Sequence, residues 1–237
     1  MMLLFDLDGT LIDTTELILQ SFAHAFDAHL PGRLPSRRDL VATFGRSLPA
    51  ALLELAAEQG APDPRALADE MLTTYRDFQR EHHDTLIRSF DGIDTALAAL
   101  RANGHRLGVV TSKMQHFARH GMRLFDLERH FDVAVFHDDV TRHKPDPEPL
   151  LEAARRAGVA PADAIYIGDS THDIVAGRAA GMLTVAVLWG PFEREVLEAA
   201  GADLLLDRPA DLLDLPQSLR DRKPAAPRRT DKIDDGR

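Results

Sequence analysis

The 237-residue sequence is 44% hydrophobic and 28% charged, a composition typical of a globular protein long enough to bury a substantial core. The formal net charge of −10 argues against nucleic-acid binding over the whole surface, because contacts to phosphates require a basic face. The absence of cysteine excludes disulfides and thiolate chemistry, and it suits a reducing cytosol.

The N-terminal segment does not resemble a signal peptide, because Asp6 and Asp8 interrupt its apolar run and no basic region precedes them. No stretch approaches the roughly 20 apolar residues that are needed to span a bilayer. We therefore expect a soluble, cytoplasmic protein that contacts neither membrane nor nucleic acid.

The chain opens with MMLLFDLDGTLID, whose apolar run predicts a first strand. In a strand, Asp6 and Asp8 would project from the same face, where their carboxylates repel each other. Such a pair is expected to need a bound cation, or to lie where the strand ends. Alternatively, Asp8-Gly9-Thr10 is only a turn beside an exposed Asp6, since Asp-Gly is a strong turn signal. These residues alone leave both interpretations open.

A helical block is predicted over residues 14–88. Apolar residues recur at helical spacing from Glu16 to Leu30, where a Pro-Gly pair ends the pattern. The segments Leu48 to Gln59 and Arg65 to Glu81 are rich in Ala, Leu and Glu, which favour helix. A short break that contains Gly and Pro separates these two predicted helices.

From Gly92 onward, predicted helices alternate with short apolar strands. The strands are RLGVVT, FDVAVF, AIYIGD, LTVAVL and ADLLL, and the helices are Ile93 to Ala102, Leu150 to Ala157, Ile174 to Ala180 and Val196 to Ala200. Such alternation indicates a parallel sheet that is covered on both faces. The predicted fold class is therefore α/β, a doubly wound parallel-sheet core with an inserted all-helical cap domain.

This pattern predicts three parts of the chain. Residues 1–13 and 89–215 would form the α/β core, and residues 14–88 would form the helical cap. Residues 216–237 have almost no large apolar side chains and are expected to form a flexible tail. The cap enters directly after the first strand, at the side of a parallel sheet where ligands bind.

Polar residues that suit phosphate chemistry follow the predicted strands. They are Asp6 and Asp8, Thr111 with Ser112 and Lys113, Lys144, and Asp169 with Asp173. Each has an ordinary alternative as a helix cap or a surface turn. In one doubly wound sheet, however, the strand ends meet in a single crevice, which favours a shared site.

This set suits phosphoryl transfer that depends on Mg²⁺. The carboxylates of Asp6 and Asp169, with a main-chain carbonyl, offer the oxygen ligands that this hard cation prefers. Lys144 adds a fixed positive charge, and the Thr111 hydroxyl can donate to a phosphoryl oxygen. A bound cation would also offset the repulsion between neighbouring carboxylates.

The motifs DLDGT, Thr111, Lys144 and GDSTHD resemble, in order, the four motifs of the haloacid dehalogenase-like hydrolases. The resemblance runs from about Phe5 to Leu215, and the combination of motifs is highly specific. The helical insert after the first motif resembles the cap of the capped subgroup that includes phosphoglycolate phosphatases.

The resemblance implies a role for each matching position. Asp6 would be the nucleophile that becomes an aspartyl-phosphate. Asp8 would protonate the leaving group and then deprotonate the attacking water, while its main-chain carbonyl ligates the metal. Asp169 would ligate Mg²⁺ directly, and Asp173 would hold a metal-bound water. The second and third motifs would orient and neutralise the phosphoryl group.

The resemblance also bears on the substrate. The segments TLIDTTELILQSF and FDVAVFHDDVTRHKPDPEP look most like a branch of inorganic pyrophosphatases, while phosphoglycolate phosphatases share the core motifs and the cap position. We expect a small phosphorylated substrate, with pyrophosphate ahead of 2-phosphoglycolate. A sugar-phosphate or nucleotide phosphatase is a third candidate, since similarity of fold does not determine specificity. No protein partner is indicated.

The candidate substrate-binding residues are Gly9, Thr10, Arg46, Ser112 and Lys113. Arg46 lies in the predicted cap, and Lys113 stands beside the second motif. The planar fork of arginine suits a second phosphate or a carboxylate, so it does not separate the two leading substrates. A surface position without substrate contact is the alternative for Arg46.

The sequence also bears on dehalogenase, mutase and non-enzyme alternatives. Dehalogenase chemistry is disfavoured because that branch lacks the second acid at the position of Asp8, whereas a mutase would keep the same four motifs. The non-enzyme alternatives are a phosphorylatable switch and an idle phosphate-binding relative. A helical insert and an acid-base group at Asp8 fit turnover better than either.

The sequence contains 11 histidines, which raises the question of a further metal site. His82 and His83 are adjacent, so on a helix they point apart and chelate poorly. Both are expected to be exposed. His172 lies between Asp169 and Asp173, and the sequence assigns it no role.

Overall fold

A computed structural model of the protein describes residues 1–215. The strands, in chain order, are β1 (Met2–Phe5), β2 (Ile12–Asp13), β3 (Arg88–Ser89), β4 (Arg106–Val110), β5 (Val133–Val135), β6 (Ala164–Gly168), β7 (Leu183–Val187) and β8 (Leu204–Leu206). The tail predicted over residues 216–237 lies outside the described part of the chain.

The helices alternate with these strands after β3 and form a block before it. They are α1 (Thr15–His29), α2 (Arg37–Val41), α3 (Leu48–Glu58), α4 (Pro64–Leu86), α5 (Ile93–Ala102), α6 (Gln115–Leu124), α7 (Glu148–Ala157), α8 (Thr171–Ala179) and α9 (Arg194–Ala200). We call α1 to α4 the cap helices. Within residues 1–215, no helix has both the length and the apolar character needed to cross a lipid bilayer.

Six strands form one sheet in the order β5-β4-β1-β6-β7-β8, and every neighbouring pair is parallel. The chain moves outward from β1 through β4 to β5, and then outward on the other side through β6, β7 and β8. The winding therefore changes direction between β1 and β6, where open α/β sheets form a ligand crevice. Together with the comparisons below, this confirms the predicted α/β fold with a helical cap.

Alternating side chains of the strands bury both faces of the sheet. Leu3 and Phe5 of β1 pack in one apolar cluster with α5 and α6, while Met2 and Leu4 pack in another with α7. All four side chains are almost fully buried. Burial of each such side chain contributes about 1.5–3 kcal/mol, so both helical layers are held firmly against β1.

The cap helices are inserted between β2 and β3, which pair as a short antiparallel ribbon. Asp63 caps the N-terminus of the long helix α4, because its carboxylate accepts a hydrogen bond from Ala66 N. Pro64 occupies the first position of the helix. Its buried stripe recurs every three or four residues and includes Met71, Tyr75, Gln79 and His83.

Three features differ from the sequence-based predictions. The first strand ends at Phe5, so Asp6 and Asp8 do not share a strand face; they follow the strand, which was the stated alternative. The helix Gln115–Leu124 and the two-residue ribbon strands were not predicted. The assignment of residues 14–88 to a separate cap domain remains a prediction.

Candidate active site

Three buried carboxylates meet at the change of winding direction. Asp6 follows β1, and its backbone N donates to Ile167 O at 2.8 Å, which holds it against β6. Asp169 follows β6, and Asp173 lies in the first turn of α8. One oxygen from each carboxylate lies within 4.8 Å of the others, and each residue is at most 3% exposed.

Both carboxylate oxygens of Asp173 have polar partners. Its Oδ1 lies 2.7 Å from Lys144 Nζ and 3.0 Å from the Tyr166 hydroxyl, and its Oδ2 accepts from the backbone N and the hydroxyl of Ser170. Burial raises the pKa of Asp173, but the Lys144 ammonium and the Ser170 hydrogen bonds outweigh it, so the pKa lies below its usual value. Asp173 is therefore held as a carboxylate.

The other two carboxylates are less well compensated. Burial, followed by repulsion from Asp173, raises the pKa of Asp6 to about 7, although Lys144 opposes the shift. Burial and repulsion also raise the pKa of Asp169 well above its usual value. Lys144 Nζ lies 2.8 Å from Asp6 Oδ1, but that oxygen accepts no hydrogen bond of good geometry from residues 1–215.

This arrangement fits a divalent cation. When all three carboxylates are ionised, they and the buried ammonium of Lys144 leave two negative charges, which is the charge that one Mg²⁺ neutralises. Carboxylate oxygens are also the ligands that Mg²⁺ prefers. Asp6 and Asp169, the two carboxylates with raised pKa, are the residues that would hold the ion most directly.

Asp169 is fixed in a narrow space. Its Oδ1 accepts a hydrogen bond of 2.9 Å from Thr10 Oγ1. A Cβ atom on Gly9, whose φ is +82°, would lie only 2.4 Å from Asp169 Oδ2, and one on Gly190 would lie 2.5 Å from its Cβ. Trp189 Nε1 donates to Thr10 O at 2.9 Å and so supports the same turn. Gly9 and Gly190 thus make room for the carboxylate.

Polar groups also follow β4 at the same edge of the sheet. Lys113 Nζ donates to Asp8 Oδ1 at 2.7 Å, and Lys113 N donates to Thr111 Oγ1 at 3.1 Å. Because Thr111 Oγ1 accepts this bond, its own proton is available to a phosphoryl oxygen. Ser112 Oγ donates to Gly45 O at 2.9 Å, which ties this turn to the cap helices.

A cavity of about 980 Å³, open mouth included, lies between the strand ends and the cap helices. Its core side is lined by Asp6, Asp8, Gly9, Thr111, Ser112, Lys113 and Lys144, and its cap side includes Arg46, Tyr75, Arg76 and Gln79. An open cleft lined by convergent charged and apolar side chains suits a small molecule. Thr10 is fully buried and does not line the cavity; its hydroxyl is bound to Asp169, so its side chain is placed to position that carboxylate.

Two cap arginines reach the cavity, but their partners differ. Arg46, which the sequence singled out, forms an ion pair with Glu54. Arg76, which the sequence did not single out, forms no ion pair with a carboxylate within residues 1–215, and its Nη2 contacts Met114 Sδ at 3.4 Å. Arg76 is thus the cap cation with more charge to offer a ligand.

Sequence reasoning also missed Tyr166, whose buried hydroxyl lies within hydrogen-bond distance of Lys144 Nζ and Asp173 Oδ1. Its signal was a tyrosine inside the otherwise apolar strand AIYIG, because a buried phenol requires a polar partner. The contacts of Trp189 and Gly190 come from a distant loop and have no local signal.

The histidine predictions are partly wrong. His83 is buried, with 4% exposure, because it continues the buried stripe of α4. His82 is half-buried and packs on Phe78, with ring centroids 4.2 Å apart. His172 is half-buried with its Cβ next to Gly45, and burial lowers the pKa of its imidazole.

Comparison with known proteins decides the family. The sequence profile described as haloacid dehalogenase-like hydrolase matches residues 3–187. The chain belongs to this family. The predicted resemblance and the prediction of a hydrolase are thereby confirmed.

Individual relatives agree with this assignment. A pyrophosphatase PpaX from Bacillus cereus strain AH820 is 38% identical over 210 residues, which span 89% of this chain and 93% of that protein. A solved haloacid dehalogenase-like hydrolase from Bacteroides fragilis superposes with a TM-score of 0.81 at 27% identity, covering 89% of this chain and 98% of the other. The solved structure of a Lactobacillus plantarum protein assigned as a phosphoglycolate phosphatase superposes with a TM-score of 0.78 at 28% identity. The match covers 90% of this chain and 98% of the other.

Proposed function

We propose that this protein is a Mg²⁺-dependent phosphohydrolase that acts on small phosphate compounds through an aspartyl-phosphate at Asp6, with pyrophosphate as its preferred substrate. The observation that carries the proposal is the cluster of Asp6, Asp169 and Asp173 around Lys144, next to an open cavity between the strand ends and the cap helices. Bound Mg²⁺ would neutralise negative charge on the carboxylates and on the phosphoryl group.

In the first half of the reaction, an Asp6 oxygen attacks phosphorus while the bond between phosphorus and the leaving oxygen breaks. Asp8 gives its proton to that leaving oxygen. Thr111 and Lys144 line the cavity and meet the negative charge of the phosphoryl oxygens. The Lys113 ammonium, bonded to Asp8 Oδ1, orients the carboxyl group that carries the proton.

In the second half, water attacks the phosphorus of the aspartyl-phosphate. Asp8 takes the proton of this water, the bond between phosphorus and the Asp6 oxygen breaks, and phosphate leaves. Both carboxylates return to their starting states. The two steps use one acid-base group in opposite directions, which suits the position of Asp8 on the cavity wall.

The preference for pyrophosphate rests on two kinds of support. The PpaX relatives are named as pyrophosphatases, and the cavity holds Arg46, Arg76 and Lys113, which can meet the charge of a second phosphoryl group. A phosphoglycolate phosphatase is the second candidate, favoured by the Lactobacillus plantarum structure. Another sugar-phosphate or nucleotide phosphatase would use the same core residues, as would the non-enzyme alternatives, a phosphorylatable switch and an idle phosphate-binding relative.

We place the protein in the cytoplasm, with small phosphorylated molecules as its ligands and without a nucleic-acid partner. The cysteine-free composition and the net charge of −10 support this placement.

The test is phosphate release with Mg²⁺ from pyrophosphate, 2-phosphoglycolate and a panel of sugar phosphates and nucleotides, with Asp6→Asn as the blank. We expect the highest kcat/KM for pyrophosphate. A higher value for 2-phosphoglycolate would move the protein to the second candidate. Retained turnover in Asp6→Asn would contradict the mechanism, and no turnover of any substrate would favour the switch.

A further inference from the structure

A second group of metal-ligating side chains lies outside the active site, where the last cap helix meets the sheet core. His83 and Asp84 lie on α4, and His120 lies on α6. Asp84 Oδ1 lies 2.8 Å from His83 Nδ1 and 2.7 Å from His120 Nε2. One ligand atom of each residue lies within 4.8 Å of the others, and the two imidazole rings are 5.0 Å apart.

We propose that His83, Asp84 and His120 form a second metal site that binds a divalent transition-metal ion, with Zn²⁺ as the probe. Two imidazole nitrogens and one carboxylate suit Zn²⁺, whereas Mg²⁺ prefers oxygen ligands alone. The site therefore differs in ligand chemistry from the aspartate cluster of the active site. It does not depend on the proposed hydrolase activity.

The ligands are partly fixed before any ion binds. The His83 ring is buried against α6, where a Cβ on Gly121 would lie 3.6 Å from its Cε1. Its Nε2 is buried without a hydrogen-bond partner in the described part of the chain, and its Nδ1 contacts the carboxylate of Asp84. Preorganised ligands lose little conformational freedom on binding, which favours affinity.

The other two ligands give the ion access to solvent. The side chains of Asp84 and His120 are 53% and 50% exposed. Three protein ligands leave a fourth position for water in a tetrahedral Zn²⁺ site. The ammonium of Lys113 acts electrostatically on His83 and opposes a bound cation, but it is itself paired with Asp8.

An ion in this site would connect two walls of the active-site cavity. Helix α4 contributes Tyr75, Arg76 and Gln79 to the cavity lining, and α6 contributes Phe117. His83 and Asp84 belong to the last turns of the cap helices, whereas His120 lies on α6, whose Ala118 and Met122 pack with the sheet core. Binding would therefore restrain the cap helices relative to the sheet and raise Tm.

The test is a Zn²⁺ titration by calorimetry in the Asp169→Asn variant, which weakens competing binding at the active-site carboxylates. We expect one Zn²⁺ per chain. His120→Ala in the same background should weaken binding by more than about tenfold, since it removes one of three ligands. His82→Ala is the matched control, because His82 adjoins His83 but lies outside the cluster. It should leave the affinity unchanged.

Co²⁺ in place of Zn²⁺ supplies a second readout that does not depend on enzyme activity. A visible absorption band of a tetrahedral site should appear in Asp169→Asn and disappear in Asp169→Asn with His120→Ala. Because the His120 side chain is half exposed, its removal should leave the fold intact, which circular dichroism can check. The absence of Zn²⁺ binding, unchanged affinity in His120→Ala, or an equal loss in His82→Ala would each overturn the proposal.

Discussion

Lys144 Nζ lies 2.7 Å from Asp173 Oδ1 at the buried centre of the active site, and the same ammonium lies 2.8 Å from Asp6 Oδ1. One lysine thus compensates two carboxylates that occupy opposite sides of the change in winding direction. Because all three side chains are at most 5% exposed, removal of the ammonium would leave uncompensated buried charge.

Lys144→Met should therefore destabilise the metal-free protein by about 3–5 kcal/mol, the typical cost of breaking a buried ion pair. Added Mg²⁺ should restore part of this loss. Urea unfolding with and without Mg²⁺ measures both effects. The same change at Lys113, which is more exposed and whose ammonium pairs with one carboxylate, that of Asp8, should cost less. Equal stability of Lys144→Met and wild type would show that the ammonium does not compensate the cluster.

Gly9→Ala should weaken Mg²⁺ binding and turnover by about tenfold or more, because its Cβ would lie 2.4 Å from Asp169 Oδ2 and displace that carboxylate. Gly32→Ala is the control: its φ is +76°, close to the +82° of Gly9, but nothing lies within 4 Å of the added Cβ. Both changes should carry a similar backbone cost of roughly 1–2 kcal/mol. Calorimetric titration with Mg²⁺ compares the Mg²⁺ affinity of the two variants. Equal losses of affinity in Gly9→Ala and Gly32→Ala would rule out the displacement of Asp169.

The effect of Mg²⁺ on Tm should increase with pH. Burial raises the pKa of Asp6 from 3.8 to about 7, so the folded metal-free protein holds this proton more tightly than the unfolded chain does. The stability from this group is complete below pH 3.8 and is lost as pH rises through about 7. Mg²⁺ binds the ionised form, so its stabilisation should be larger at about pH 8 than at about pH 5.

Scanning calorimetry with and without Mg²⁺ at both pH values measures this difference. Asp6→Asn lacks the titrating group, so in this variant the gain from Mg²⁺ should be smaller and should change less with pH. A wild-type gain that is independent of pH would contradict the assignment of Asp6 as a ligand.

Arg76→Ala should raise KM for pyrophosphate by about tenfold, because a charge-assisted hydrogen bond contributes about 1.5–3 kcal/mol. Arg46→Ala should have a smaller effect, since Arg46 is already paired with Glu54. Steady-state kinetics of both variants, with phosphate release as the signal, makes the comparison. A larger effect at Arg46 would reverse the assignment of the cap contact.

Most of the core architecture could be predicted because its signals are local. The helix Ile93–Ala102 was predicted at its observed bounds, since Gly92 precedes it and Asn103-Gly104 follows it. The strand AIYIG also stood out as a short apolar run. In contrast, α6 was missed although QHFARHGMRL is amphipathic, because the segment has few apolar residues and contains Gly, which is a poor helix former.

The parts of the site that could not be predicted depend on contacts between distant segments. The ribbon pairs Ile12 with Ser89 across the whole cap insertion, and no local pattern signals a two-residue strand. The space around Asp169 is completed by Gly190, which follows a different strand. The motifs could therefore locate the chemical groups of the core, but only the fold shows that Arg76 lines the cavity without a carboxylate partner within residues 1–215.

The central claim is that Asp6 carries the phosphoryl group during turnover. The most direct measurement is a rapid acid quench of the reaction with Mg²⁺ and pyrophosphate, followed by mass spectrometry of the peptide that contains Asp6. Asp8→Asn lacks both the acid of the first step and the base of the second. Phosphate, the leaving group from pyrophosphate, needs the acid less than water needs the base, so the intermediate should accumulate. We expect this peptide to gain the mass of one phosphoryl group in Asp8→Asn and to gain nothing in Asp6→Asn. The claim would be contradicted if wild type releases phosphate but the Asp6 peptide of Asp8→Asn carries no phosphoryl group.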